Sequence, residues 1–284
     1  MTDLDIVDDL VDPILIAAFE GWNDAADAAS STVDRLIDEW GAEVVAELDP
    51  EEYYDFQMTR PLIAVEPDGS RLLSWPTTRV LVARPPGASR DIVLLRGVEP
   101  NLRWRQFCEE LLEIAETLGV RLVVSLGALL ADTPHTQPVP VTGSVSDQEL
   151  ATRLGLEQSL YEGPTGITGV FHDACAAADM PSLSLWAAVP AYVAAAPCPK
   201  ATLALLGRLE DLLDIAVPVE DLAEDARAWE RGVDEIARED PEVAQIVSRL
   251  EQDHPTSELP EASGDAIARE FERYLKRRQR EGEV

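Results

Sequence analysis

The chain has 284 residues, 46% of them hydrophobic, which is enough for a full core in one large α/β domain or a domain with an appendage. Its 54 acidic against 23 basic residues leave a net charge of −31, which repels phosphate backbones and anionic lipid and excludes nucleic acid and membrane surfaces as expected partners. No run approaches the ~20 apolar residues of a membrane span, and the opening MTDLDIVDDL is acidic where a signal peptide is basic, so a cytoplasmic protein is expected.

Pro13 to Phe19 reads as a first buried strand. Glu20-Gly21-Trp22-Asn23-Asp24 follows as a strand-to-helix turn. A helix then runs to Trp40, with Ala25, Ala29, Val33, Leu36 and Trp40 on its inner face, Asn23 or Asp24 as N-cap and Gly41 as its stop. From Ala42 to Arg96 the pattern becomes short β segments: Glu43 to Leu48, Leu62 to Val65, Leu72 to Trp75, Thr78 to Ala83 and Ile92 to Leu95. Pro67-Asp68-Gly69 marks a hairpin turn. The loop after the last of these strands carries Glu99 and Asn101 into a helix with Phe107, Leu111, Ile114 and Leu118 inward, which Gly119 stops.

Arg121 to Leu126 has the length and β-branched content of a strand buried on both faces, ended by Gly127. The loop beyond it holds Asp132 and His135 among Pro134, Pro138 and Pro140, which keep it extended. Ser146-x-x-Glu149 is a capping box for a short helix ended by Gly155. The run Tyr161 to Gly169 has glycines at 163, 166 and 169 before a helix through Phe171, Cys175 and Ala178. Its free amides are suited to a carboxylate or phosphate, but the spacing is neither a dinucleotide fingerprint nor a P-loop. Ser182 to Val189 is another buried strand, and Lys200 to Ile215 an amphipathic helix. Beyond Val219 strand signals stop. Leu222, Ala226, Trp229, Val233, Ile236, then Val243, Val247 and Leu250 keep a four-three spacing, with Asp240-Pro241 restarting the helix. Gln252 to Gly264 reads as a linker before a last helix from Asp265 to about Arg280.

The expected architecture is therefore a core over 1–218 and a helical appendage over 219–284, with its linker near 252–264. Cys108, Cys175 and Cys198, odd in number and without a CxxC, make neither a disulfide framework nor a zinc site. Three loops at one sheet edge supply the candidate site: Glu20, Trp22, Asn23 and Asp24, then Glu99 and Asn101, then His135 and Asp132, with Gly163, Thr165 and Gly166 of the glycine loop as further ligand-binding positions. His135 with Asp132 holding its tautomer suits a general base, and the same carboxylates with His135 suit a divalent metal. Neither reading has a diagnostic spacing such as HExxH or GxSxG, and no cofactor or resident metal is expected.

Four segments in order, Phe19-Glu20-Gly21-Trp22-Asn23-Asp24-Ala25, Gly127 to Thr136, Tyr161 to Gly166 and Ser184 to Pro190, resemble the proteasome assembly chaperone family in its prokaryotic, actinobacterial branch, over about Ile14 to Leu206. The resemblance implies a three-layer αβα fold with a mixed, phosphorylase/hydrolase-like sheet, self-association as a trimer and a proteasome-related protein partner. Eukaryotic members resemble one another in a C-terminal tail of a hydrophobic residue, tyrosine and any residue. Here the sequence reads Glu281-Gly282-Glu283-Val284, with the nearest tyrosine at Tyr274, so docking of that kind is not expected. The leading expectation is a self-associating binder of a protein partner or small ligand; the alternative is a hydrolase or phosphorylase-like enzyme using His135 and Asp132.

Overall fold

The computed structural model describes residues 10–145, 151–152, 154, 156–158 and 161–253. Among the described residues ten strands follow in chain order: β1 (Ile14–Glu20), β2 (Glu43–Glu47), β3 (Leu62–Val65), β4 (Arg71–Ser74), β5 (Arg79–Ala83), β6 (Ile92–Val98), β7 (Leu122–Ala131), β8 (Val141–Val145), β9 (Glu157–Gln158) and β10 (Ser182–Pro190). The described α-helices are α1 (Ala28–Trp40), α2 (Pro50–Tyr53), α3 (Trp104–Thr117), α4 (Ile167–Ala177), α5 (Pro199–Leu213), α6 (Glu220–Glu239) and α7 (Pro241–Asp253).

Eight strands form one sheet in the order β2-β5-β6-β1-β7-β10-β8-β9. β1 runs parallel to β6, with Ile14 opposite Ile92, and parallel to β7, with Ile14 opposite Leu122. β5 is antiparallel to β6, and β2 is antiparallel to β5, so the sheet is mixed. The uninterrupted apolar run of β1 has its explanation here: Leu15, Ala17 and Phe19 pack with Phe107 and Leu111 of α3 and with Ile167, Phe171 and Cys175 of α4, while Ile14, Ile16 and Ala18, pointing the other way, are buried as completely. Phe19 meets the Phe171 ring edge-on at 6.3 Å and the Phe107 ring tilted at 5.9 Å. The fold is three-layer αβα, with further helices at its C-terminal end.

The chain divides into two compact units. The first contains residues 10–24, 33–127 and the described part of 143–185; the second contains 25–32, 128–142 and 186–253. β7 and β10 begin in the first and run into the second. In the second, α6 packs against α5 and α7 against α6, with Ala226, Val233, Val247 and Leu250 buried, as their spacing predicts. Ile236, assigned to the same inner stripe from its spacing, stays exposed.

Three local expectations are corrected. Helix α1 starts at Ala28 rather than directly after Asp24, because Ala26 (φ 52) and Asp27 (φ 55) take left-handed conformations that no α-helix tolerates. Asn23 and Asp24 therefore precede a short 3-10 turn, Ala25–Asp27, and do not stand at the N-cap of α1. Gly127 does not end its strand: it lies inside β7, which continues to Ala131. Gly41 and Gly119 do take the positive φ of helix stops. The Ser146–Glu149 capping box, most of the expected linker, His254 and the last helix lie outside the described residues.

All three thiols are buried and reduced. Burial pushes Cys108 and Cys175 up to about 12, and raises Cys198 too, which leaves all three protonated and unreactive near neutrality.

Hairpin β3–β4 is a separate two-stranded sheet, antiparallel with Leu62 opposite Ser74 and Val65 opposite Arg71. Every one of its strand residues is exposed.

Candidate functional site

The carboxyl ends of β1 and β6 lie side by side in the first unit, with Glu20 opposite Val98 and the Glu99 amide donating to the Glu20 carbonyl at 2.8 Å. This brings the first two polar loops together, as the sequence predicts. Their side chains then divide into three groups.

The first group centres on Arg96. Its guanidinium donates to Glu20 Oε1 at 2.6 Å and forks onto both Asp34 oxygens at 2.7 and 3.1 Å. Burial alone would lower its pKa, but the Asp34 and Glu20 carboxylates outweigh that and raise it above the ordinary value. Glu20 is thus held by a permanent cation.

The second group is at the start of α4. The Glu99 carboxylate accepts from the Ile167 amide at 2.8 Å, taking up the end of the helix where a negative charge is most stable. Gly166, the N-cap, supplies no side chain, so Glu99 caps the helix from a distant loop. Asn23 is also buried here. Its Oδ1 has no hydrogen-bond partner among the described residues, and a β-carbon on Gly166 would come within 2.8 Å of its Cγ and 2.7 Å of Glu99 Oε1. The anion expected at the glycine loop is the protein's own carboxylate.

The third group is Asn101. Its Oδ1 accepts from the Asp55 amide at 2.9 Å and the Thr59 hydroxyl at 3.0 Å, fastening the turn after α2. Gly163 and Thr165 lie on the exposed side of the glycine loop, where the Tyr161 hydroxyl donates to the Pro164 carbonyl. The same loops also expose large apolar side chains: Trp22 is 63% exposed, Leu102 49% and Tyr161 67%.

His135 belongs to the second unit and is 1% exposed. Its Nδ1 lies 2.7 Å from the Tyr192 hydroxyl and its Nε2 3.1 Å from Asp234 Oδ1. Burial pushes Tyr192 up to about 12, so its hydroxyl keeps its proton. That oxygen also accepts from the His135 amide at 2.7 Å, so Tyr192 holds both the backbone and the ring of His135 while Nε2 faces Asp234. The pairing expected with Asp132 is not the one made, because both ring nitrogens are engaged elsewhere; Asp132 itself is exposed. Lys200 donates to the His135 carbonyl and pairs with Glu230 at 2.9 Å, and Thr136 donates to Glu251 at 2.6 Å. The proline loop is thereby fastened to α5, α6 and α7.

Among the described residues no three His, Cys, Asp or Glu side chains are grouped so as to hold a metal ion, and no helix is long and apolar enough to cross a membrane. Sequence reasoning missed Arg96, Tyr192, Asp234 and Lys200. Arg96 had a signal, a lone cation in an otherwise apolar strand. Asp234 had none, being one acid among many on an amphipathic helix.

The sequence pattern of the PAC2 family matches residues 18–237. The chain belongs to the PAC2 family. The matched span runs past the 14–206 of the four-motif resemblance and takes in most of α6. A PAC2 family protein from Streptomyces avermitilis is 58% identical, with a TM-score of 0.78 over 83% of this chain and 100% of its own. A Mycobacterium tuberculosis proteasome-assembly chaperone homologue is 53% identical, with a TM-score of 0.75 over 82% of this chain and 99% of its own. An archaeal proteasome activator from Pyrococcus furiosus, 17% identical, shares the fold with a TM-score of 0.65 over 81% of this chain and 95% of its own. No curated protein matches.

Proposed function

We propose that this PAC2 protein is a cytoplasmic, self-associating docking protein for proteasome subunits, one that binds rather than transforms its partner. The observation that carries this reading is the exposure of Trp22, Leu102 and Tyr161 on loops that the bonds of Glu20, Glu99 and Asn101 hold in place. Glu20, Glu99 and Asn101 are each committed to holding a neighbouring segment, which leaves the three large apolar side chains free for a partner. Exposed aromatic anchors with fixed surroundings are what protein interfaces use. The choice of partner is supported by the 53% identical relative described as a proteasome-assembly chaperone homologue.

The test is native mass spectrometry of the full chain mixed with purified actinobacterial proteasome α and β subunits. A complex containing this chain and at least one subunit is expected. A mixture in which the subunits assemble among themselves, with this chain left over at every stoichiometry, would overturn the reading.

A further inference from the structure

We propose that hairpin β3–β4 is an assembly arm, gripped by a second copy of this chain. The proposal rests on the self-association read above and names its surface. Leu62, Ile63, Val65, Leu72 and Leu73 are between 45% and 72% exposed, and Met58 and Trp75 stand exposed beside them. The register sorts these side chains onto both faces of the ribbon. Ile63 faces with Leu73 and Val65 with Arg71, while Leu62 lies across from Ser74 and Ala64 across from Leu72 on the opposite face.

An isolated two-stranded ribbon is marginal in water, and this one has apolar side chains on both faces, so it needs covering whenever the protein is folded. A partner met only occasionally does not meet that need, whereas another copy of the chain is always present in equal amount. Seven half-exposed apolar residues at on the order of 100 Å² each approach the roughly 800 Å² that each partner contributes to a stable interface.

Charge points the same way. Two copies each carrying −31 repel one another almost everywhere, but from 60 to 75 the chain has Arg60 and Arg71 against Glu66 and Asp68 and no net charge. Arg60 and Arg71 are exposed and make no ion pair among the described residues, so the arm brings two unpaired cations to an acidic neighbour. With both faces apolar, the arm is taken between elements of the neighbouring copy rather than laid flat on its counterpart.

The experiment is sedimentation velocity of the full chain, alone at micromolar concentration, beside Leu62→Ser/Leu72→Ser and, separately, Arg71→Glu, with far-UV circular dichroism as the control for folding. The wild type is expected to sediment as an oligomer. Both variants should fall to monomer, or need at least tenfold more protein to assemble. An oligomer unchanged in both variants overturns the arm while leaving self-association standing; a monomeric wild type overturns both. Should the double variant lose its fold, Arg71→Glu decides, since it leaves every apolar contact in place. Hydrogen exchange adds a second readout. Protection of amides 62–74 should rise with protein concentration alone, and protection that appears only on adding proteasome subunits would overturn a second copy as the occupant.

Discussion

Replacing Gly166 by alanine tests whether Glu99 holds α4 in place. The backbone there, φ −95 and ψ −172, accepts alanine without strain, so any cost is a matter of space. The added β-carbon would lie 2.7 Å from Glu99 Oε1 and 2.8 Å from Asn23 Cγ, well inside the ~3.5 Å of a relaxed contact. Both side chains must leave, and Glu99 takes its bond to the Ile167 amide with it. A hydrogen bond to a charged group contributes about 1.5–3 kcal/mol, and losing the negative charge at the helix start costs roughly 0.5 kcal/mol more. Stiffening of the unfolded chain offsets about 0.4–1 kcal/mol. Gly166→Ala should therefore destabilise the protein by about 1–3 kcal/mol, read from the midpoint of urea unfolding at pH 7. Combined with Glu99→Ala it should cost at least ~1 kcal/mol less than the two effects added, because the second change finds the cap already gone. A variant within ~0.3 kcal/mol of wild type, or strictly additive costs, would refute the assignment.

Three further substitutions probe two imidazoles and the carboxylate beside one of them. His135→Ala empties a fully enclosed site and removes the ring partner of the Tyr192 hydroxyl, so a loss of about 2–3 kcal/mol is expected in the same urea assay, against under ~1 kcal/mol for Asp234→Asn, whose side chain is partly solvated. Equal costs for the two would contradict the geometry. His172 is pushed below its ordinary value by burial, with Asp173 opposing. Above the unfolded value near ~6.5 both states are neutral, and below it the unfolded chain takes its proton first. Stability should therefore fall as pH drops from ~6.5 towards the lowered folded value, and His172→Gln should lose less between pH 7.5 and 5.5 than wild type. An identical pH slope in the variant would remove His172 from that account.

The sequence made the layers legible because their signals are physical requirements of burial. The apolar run of β1 can only be a strand covered on both faces, and the Phe107-Leu111-Ile114-Leu118 spacing can only be one helix stripe. The turn at Pro67-Asp68-Gly69 was equally plain. What the sequence concealed was commitment between distant residues. Glu99 reads as a free carboxylate at a strand end until Gly166 is seen beneath it, and His135 reads as a base until Tyr192 and Asp234, which lie 57 and 99 residues away, occupy its nitrogens. Ala26 gave no warning of its left-handed turn, since nothing in an alanine distinguishes a residue held there by its surroundings.

The docking account stands most directly on Trp22. Titrating the full chain and Trp22→Ala into immobilised proteasome subunits should show wild-type binding weakened about 30-fold or more in the variant, the ~2 kcal/mol characteristic of an interface anchor, with its urea midpoint unchanged. Equal affinities would contradict the claim that this apolar edge is where the partner docks.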